Sequence, residues 1–473
     1  MNTIIPATEV EFSPLAIDEN GSVFTWKNKV FRAIKKEAVG HIKELMSCGL
    51  IDELIQKNLF PKTWITEYDL EGYALIIQHE KIEVVSYPYE WAFSMLKDAA
   101  LAILKVNQIA LKYGYQTKDG HGWNIIFDSM TPKFIDLGSF KKITAEEKGW
   151  IAYEEFLRAY YYPLKLWSQG CSYFAKVSFL SHQPPRVSDF LFFNPFLRLI
   201  GINFFKKIVD NFFIYKRISN VTDQRIIERF PRASSGKLIV WLKNKRALPF
   251  LSIDYGRLIK KIEKINDKSS ETVWGQYQGE YLCENSEICL SERFNKIIEI
   301  IKTINIKSVI ELGGNQGVFS EALIKNTKVK QIICTDYDEK AIDILYNRLK
   351  NSNLKITPAI LDIVFTNNVI FDLKPEKRFV SDVAVMLAVT HHLVLTQHIP
   401  LEFIMKVFSR YTKRYAIIEF MPLGLYGGDD KKFPSIPAWY NEEWFKNNFK
   451  KYFRLITREQ VEKNRVVFVG ELY

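Results

Sequence analysis

The sequence predicts an α/β protein: a mostly parallel, doubly wound sheet toward the C-terminus, an α+β unit toward the N-terminus, and a helix-rich region joining them. Three observations predict it. From Lys307 onward short β-branched runs alternate with helical stretches, as crossover-connected parallel strands require. Within that region a strand runs straight into a glycine-rich turn, Val309-Ile-Glu311-Leu-Gly313-Gly314-Asn315-Gln316-Gly317. Residues 1 to about 180 instead read as short strands followed by helices. At roughly 150 residues per domain, 473 residues leave room for about three units, and the pattern divides them as 1–180, 181–270 and 271–473.

Composition narrows the class. With 47% hydrophobic and 25% charged residues the chain is globular, not disordered or fibrous. Its five cysteines are scattered and never spaced CxxC, so neither a zinc ribbon nor a disulfide framework is expected. No run of 18 apolar residues lacks charge, and Met1–Glu19 has no basic-then-apolar layout. The expected location is cytoplasmic, or peripheral at the inner face of the membrane.

In chain order, Val23–Trp26 and Lys29–Ile34 read as strands and Trp91–Tyr113 as a long amphipathic helix. Next comes Lys118-Asp119-Gly-His121-Gly-Trp-Asn124, then Phe134-Ile-Asp136-Leu-Gly138. Asp119 and Asn124 have the D-x4-N spacing of a protein-kinase catalytic loop, and Asp136-Leu-Gly follows at the distance of the kinase Asp-Phe-Gly element. There the first Asp accepts the substrate proton while the Asn and second Asp hold magnesium, so Asn124 and Asp136 are candidate Mg2+ ligands for a bound ATP. No GxGxxG precedes them; Asn20-Gly21-Ser22 is the only comparable turn. In the strand Val30-Phe31-Arg32-Ala33-Ile34, Arg32 stands where a kinase has lysine. The expectation is a protein-kinase-like domain that is degenerate and does not phosphorylate, since fold does not confer activity.

Residues 181–250 hold 13 Lys/Arg against 4 Asp/Glu, which places +9 of the chain's net +11 there. Phe190, Phe204, Phe205, Phe212 and Phe213 interleave with Lys206, Lys207, Lys216 and Arg217. A core helix pair with solvated lysines is one reading; contact with phosphate headgroups or a lipid-linked substrate is the other. Nucleic acid is not expected, because no binding motif accompanies the charge.

The last region reads as strand Ser308–Leu312, helix Val318–Lys325, strand Gln331–Thr335, helix Glu339–Lys350, strand Val383–Leu387, helix Leu401–Arg410 and strand Tyr415–Phe420. A glycine is needed where a ligand presses on backbone, because a Cβ would occupy its space. The Glu311–Gly317 loop is neither GxGxxG nor a P-loop. It resembles the ExGxxxG motif of class I S-adenosylmethionine-dependent methyltransferases, with Asn315 where many members have glycine. Asp336, 25 residues beyond Glu311, ends the next strand, where a carboxylate can accept from both ribose hydroxyls. Asp362 follows a third strand, where this family contacts the adenine amino group. Thr390-His391-His392 follows the fourth strand. His391 or His392 is a candidate base for a hydroxyl acceptor, or one of them only a cap or packing group. Glu419, at the end of the last strand, is a second candidate base or an orienting partner. Asp429 and Asp430 could complete a metal site with Glu419, but Gly427-Gly428-Asp429-Asp430 reads first as a surface turn. Tyr277, in Trp274-Gly-Gln-Tyr277-Gln-Gly-Glu-Tyr281, could close over the cofactor.

Taken with Ser86-Tyr87-Pro88-Tyr89-Glu90-Trp91 and Lys97-Asp98-Ala99-Ala100, these segments resemble one bacterial family across nearly the whole chain: two-part methyltransferases similar to the host-specificity nodulation protein. The resemblance implies a C-terminal Rossmann-like class I methyltransferase domain binding S-adenosyl-L-methionine through Glu311, Gly313, Gly314, Asn315, Gly317, Asp336, Asp362 and Tyr277. It also implies a kinase-like N-terminal part and a glycan or glycolipid acceptor. Three functions stay open: an O-methyltransferase acting on a sugar hydroxyl of a surface polysaccharide or its lipid-linked precursor; a bifunctional kinase-methyltransferase; and a non-catalytic glycan- or membrane-binding module.

Overall fold

The computed structural model describes residues 3–144, 149–180, 254–268, 272, 275, 290–364, 374–426 and 435–473. The chain opens with a five-stranded antiparallel sheet of β1 (Glu11–Asp18), β2 (Gly21–Trp26), β3 (Lys29–Ile34), β4 (Thr63–Ile65) and β5 (Leu75–His79), in the order β1-β2-β3-β5-β4. Lys27 and Asn28 join β2 to β3 with φ of 48° and 60°, the left-handed pair that a two-residue hairpin turn needs to match strand twist. Strand alternation separates the two faces. Phe24, Phe31 and Ile76 close one small apolar cluster, while Ile34 and Ile77 face the main core with α1 (Val39–Ser47) and α2 (Leu50–Gln56).

Behind the sheet lies α3 (Phe93–Lys112), buried on nearly every side, as a helix through the middle of a core must be. It begins two residues later than expected. Tyr87–Glu90 first forms a tight turn in which Glu90 Oε2 accepts the Tyr87 N–H at 2.8 Å, so Trp91 and Ala92 remain extended or irregular ahead of the helix. After β6 (Tyr115–Thr117) the chain crosses Asp119–Asn124 and makes the hairpin β7 (Ile125–Asp128) and β8 (Thr131–Phe134). After a helical turn at Tyr153–Phe156 come α4 (Tyr162–Trp167), α5 (Ser172–Leu180) and α6 (Tyr255–Glu263), the last packed on α3. The basic stretch 181–250 lies outside the described residues.

After α7 (Glu292–Lys302) comes a seven-stranded sheet built from β10 (Ser308–Leu312), β11 (Gln331–Asp336), β12 (Ile356–Ile360), β13 (Ser381–Met386), β14 (Thr412–Phe420), β15 (Phe453–Glu462) and β16 (Arg465–Leu472); β9 (Phe140–Lys142) pairs with β6 in the other half. The order is β12-β11-β10-β13-β14-β16-β15, parallel except for β16, which runs antiparallel to both neighbours. Helices α8 (Val318–Asn326), α9 (Glu339–Leu349) and α11 (Leu401–Ser409) make the crossovers together with the short α10 (Pro375–Arg378), and α12 (Glu442–Phe449) precedes β15. The expected α/β architecture is therefore present. The chain moves outward from β10 to β12 and then returns to β13 on the other side of β10. That reversal opens a crevice at the carboxyl ends of β10 and β13.

The two halves share one continuous apolar core from α3 through β10, α8 and α9. The seam carries ordered polar contacts as well. Asp343 of α9 accepts from the Ser94 backbone N–H at 2.6 Å and its hydroxyl at 3.1 Å. Asp98 accepts from the Tyr346 hydroxyl at 2.8 Å and pairs with Lys350 at 3.0 Å. Glu90, 2% exposed, receives both terminal nitrogens of Arg378, one at 3.0 Å. The segment Ser86–Ala100, singled out in the sequence, is thus the part of the N-terminal half that grips the C-terminal sheet domain.

Candidate functional site

Beyond Leu312 the backbone turns through Gly313 (φ 75°), Asn315 (52°) and Gly317 (71°) into α8. The left-handed region explains why glycine or asparagine stands at each. The space explains the rest. A Cβ on Gly313 would overlap the Val389 side chain, one on Gly314 would lie 2.5 Å from Cys334 Sγ, and one on Gly317 2.6 Å from Leu345 Cδ1. The protein's own packing therefore already excludes a Cβ at these three positions. Gln316 adds a tether, donating to the Gly275 carbonyl. Gly275 belongs to the Trp274–Tyr281 stretch, but Trp274, Tyr277 and Tyr281 lie outside the described residues, as do Asp429 and Asp430.

The loop roofs a cavity of about 540 Å³ at the carboxyl ends of β10, β11, β12 and β13. Glu311, Gly313, Asn315, Asp336, Asp362 and His392 all line it, so residues picked from four separate strand ends meet in one place. Glu311 is buried beneath the loop and takes the Ser320 hydroxyl at 2.5 Å. Burial, with the Asp336 charge adding to it, pushes its carboxyl up to about 7. Asp336 accepts the Asn315 N–H through Oδ2 and the Asp338 N–H through Oδ1, each at 2.8 Å. Burial raises it to about 6 against the pull of those N–H groups. Each oxygen keeps acceptor capacity, since a carboxylate oxygen can take about two donors. Asp362 is steadied by the Val364 N–H at 2.9 Å.

On the facing wall, Ala388 adopts φ 55°, an unusual value for alanine, where β13 meets the cavity. His392 follows, half-buried and lowered by burial, and is therefore neutral near pH 7. His391 sits behind it, their rings 4.0 Å apart; burial holds it down at about 3, with the charge of Arg465 contributing. Glu419 does not reach the cavity. Fully buried, it binds Arg465 at 2.8 Å and Arg293 at 3.6 Å, while its backbone carbonyl accepts the Thr390 hydroxyl at 2.9 Å. It orients Arg293, which does line the cavity. Sequence reasoning missed Arg293 because it lies on α7, ahead of the patterned strands; the cue was a charged residue inside an otherwise apolar helix face, Arg293-Phe294 with Ile297, Ile298 and Ile301.

In the N-terminal half Asp136 and Asn124 flank the β7–β8 hairpin. Asp136 Oδ1 accepts from both Arg32 Nη2 at 2.9 Å and the Gly138 N–H at 3.0 Å. Asp119, near Glu155 and Asp136, is raised by burial and by their charges. Arg32 already occupies Asp136 Oδ1, so a cation held by this carboxylate would share it with a guanidinium that repels it. Among the described residues no group of three or more His, Cys, Asp or Glu side chains is placed to hold a metal ion.

No family model matches the chain. It is 24% identical to nodulation protein NoeA of Rhizobium meliloti (strain 1021) over 482 residues, covering 94% of this chain and 92% of that protein. Similar solved structures include the PH0226 protein of Pyrococcus horikoshii OT3 (14% identity, 41% of this chain and 95% of that one, TM-score 0.33). The methyltransferase domain of bacterial CtHen1-C is 19% identical over 38% of this chain and 97% of that one, with a TM-score of 0.30. The N-methyltransferase NodS of Bradyrhizobium japonicum WM9 is 15% identical over 38% of this chain and 94% of that one, at 0.28. At these TM-scores the overlaps carry no weight, and the fold is read from the strand order itself.

Proposed function

We propose that this protein is an S-adenosyl-L-methionine-dependent O-methyltransferase whose acceptor is a sugar hydroxyl of a bacterial surface polysaccharide or its lipid-linked precursor. The observation that carries the reading is the convergence of Glu311, Asp336 and Asp362 on one cavity at the sheet's switch point. Its volume, about 540 Å³, suits a nucleoside-sized ligand. The residues present fit the cofactor. Asp336, held by two backbone N–H groups, has acceptor capacity left for ribose hydroxyls, Asp362 would be the acceptor for the adenine amino group, and the acidic side chains of the lining would favour a cationic sulfonium. When bound, S-adenosylmethionine supplies an electrophilic methyl group.

The chain's own part is to place the acceptor in line and take its proton. His392, neutral and on the cavity wall, is positioned to accept that proton. His391, too deep and held at too low a pKa to be an effective base, packs against it. Glu419 positions Arg293 and Arg465 and does not act as a base. The N-terminal half, with Arg32 occupying Asp136, does not phosphorylate; it is the platform on which the C-terminal domain is mounted. The glycan acceptor follows from the resemblance to nodulation-type proteins, in keeping with similarity to NoeA along nearly the full chain.

Calorimetric titration of the full chain with S-adenosylmethionine tests the reading. Binding is expected in the natural protein and is lost in Asp336→Ala with the fold retained by circular dichroism; no binding to the natural protein overturns it. Mass spectrometry of the surface glycan with and without the protein, where one methylene of mass is expected to disappear, tests the acceptor.

A further inference from the structure

A second concavity lies between the C-terminal ends of α4 and α6. It has a volume of about 610 Å³, and Lys165, Lys261, Lys264 and Lys268 line it with no carboxylate among the lining residues. The nearby Asp267 is occupied by Lys340 at 3.1 Å. Lysines commonly gather at helix C-termini to offset the dipole, but that task is done here by another residue. Lys97, outside the cleft, donates to the carbonyls of Glu263 and Ile265 at 2.7 and 2.8 Å. At the end of α4, the N–H groups of Gln169, Gly170 and Cys171 cover the last carbonyls. Four lysine side chains therefore line one cleft without carboxylate partners among the described residues, Lys261 Nζ lying 4.6 Å from the centre of the Tyr161 ring. Such a cleft suits a multiply anionic ligand.

The cleft wall continues through Gly170 into α5, whose first turn exposes Tyr173 (69%) and Phe174 (51%), with Val177 (41%) one turn on. Positions 173, 174 and 177 fall on one helix face, giving an apolar stripe a few residues from the lysines. A bare phosphate ligand has no use for that stripe, whereas a lipid surface uses both: headgroup phosphates meet the lysines while aromatic and aliphatic side chains enter the acyl boundary.

We propose that the cleft and the exposed face of α5 together form a docking surface for an anionic phospholipid membrane, which holds the protein beside the bilayer. The test is co-sedimentation of the full chain with phosphatidylcholine vesicles containing roughly 30% phosphatidylglycerol, a composition whose surface charge attracts lysines. Replacing Lys165, Lys261, Lys264 and Lys268 together by Gln is expected to weaken partitioning on the order of 10³-fold. Tyr173→Ser/Phe174→Ser should weaken it about tenfold. Melting temperatures report folding, and the pair Lys264→Gln/Lys268→Gln, beyond the last turn of α6, provides a milder variant with an expected loss of about 30-fold. Undiminished partitioning in the four-lysine variant overturns the proposal. So does binding of inorganic pyrophosphate or single-stranded DNA that competes with vesicles and is unaffected by the aromatic replacements, since the ligand would then not be a membrane.

Discussion

Replacing Arg378 by Met puts the seam between the two halves to the test. Arg378 places both terminal nitrogens on Glu90, whose side chain is 2% exposed, and its guanidinium also lies 4.6 Å from the centre of the Tyr87 ring. Methionine preserves much of the packing of the stem, so what is removed is chiefly the charge. The carboxylate of Glu90 would then be buried with only the Tyr87 N–H at 2.8 Å to satisfy it. Leaving one member of a buried pair uncompensated costs about 3–5 kcal/mol, a large share of the stability of a typical domain. Glu90→Gln/Arg378→Met removes both charges while the glutamine oxygen can still accept from Tyr87, so the double variant should be more stable than Arg378→Met alone. Urea unfolding followed by tryptophan fluorescence and by far-ultraviolet circular dichroism measures this, and coincident transitions are expected because one apolar core crosses the seam. A loss below about 1 kcal/mol in Arg378→Met, or a double variant less stable than the single, would show that the pair is solvated and refute the rigid seam.

Glu311 and Asp336 give the ligand-free protein a pH signature. Their folded-state pKa values, about 7 and about 6, lie above those of an unfolded chain, so the folded state holds protons that the unfolded state releases. Stability should therefore fall as pH rises from about 4 to 7, by about 3 kcal/mol from Glu311 alone, and Glu311→Gln should flatten the curve; an unchanged slope in that variant counts against the assignment. Gly314→Ala should cost about 1–3 kcal/mol in thermal or urea unfolding, because its Cβ meets Cys334 and Glu311; a neutral result would mean the loop is looser than its contacts imply. His392→Gln should lower glycan methylation by about 10²–10⁴-fold while S-adenosylmethionine affinity stays within about threefold, as expected for a proton acceptor; equal activity would remove it from the chemistry. His391→Gln should reduce methylation far less.

Much of the C-terminal domain was legible in the sequence because buried parallel strands are short, continuous apolar runs. Val309–Leu312 and Ile332–Thr335 could hardly be anything else between helical stretches. The closing pair β15 and β16 was not anticipated. β15 is an edge strand whose Arg454, Arg458 and Glu459 point into solvent, which dilutes the apolar pattern that strand reading depends on. The expected start of α3 at Trp91 was displaced by the Glu90 capping interaction, and Arg293 lay outside every motif.

By itself the sequence determined the order in which chemical groups are delivered: glycine loop, Asp336, Asp362, then the histidine pair, each at a strand end. That order is local, since the carboxyl end of a strand and the turn after it are specified by neighbouring residues. Tertiary structure alone decided which histidine faces the cavity, that Glu419 serves two arginines, that Arg32 closes on Asp136 and that Ser86–Ala100 is a seam. These outcomes rest on contacts between residues far apart in the chain, 104 positions for Arg32–Asp136 and 288 for Glu90–Arg378. No periodicity encodes such pairs; they arise when burial of the common core brings charged groups together and pairing offsets their desolvation.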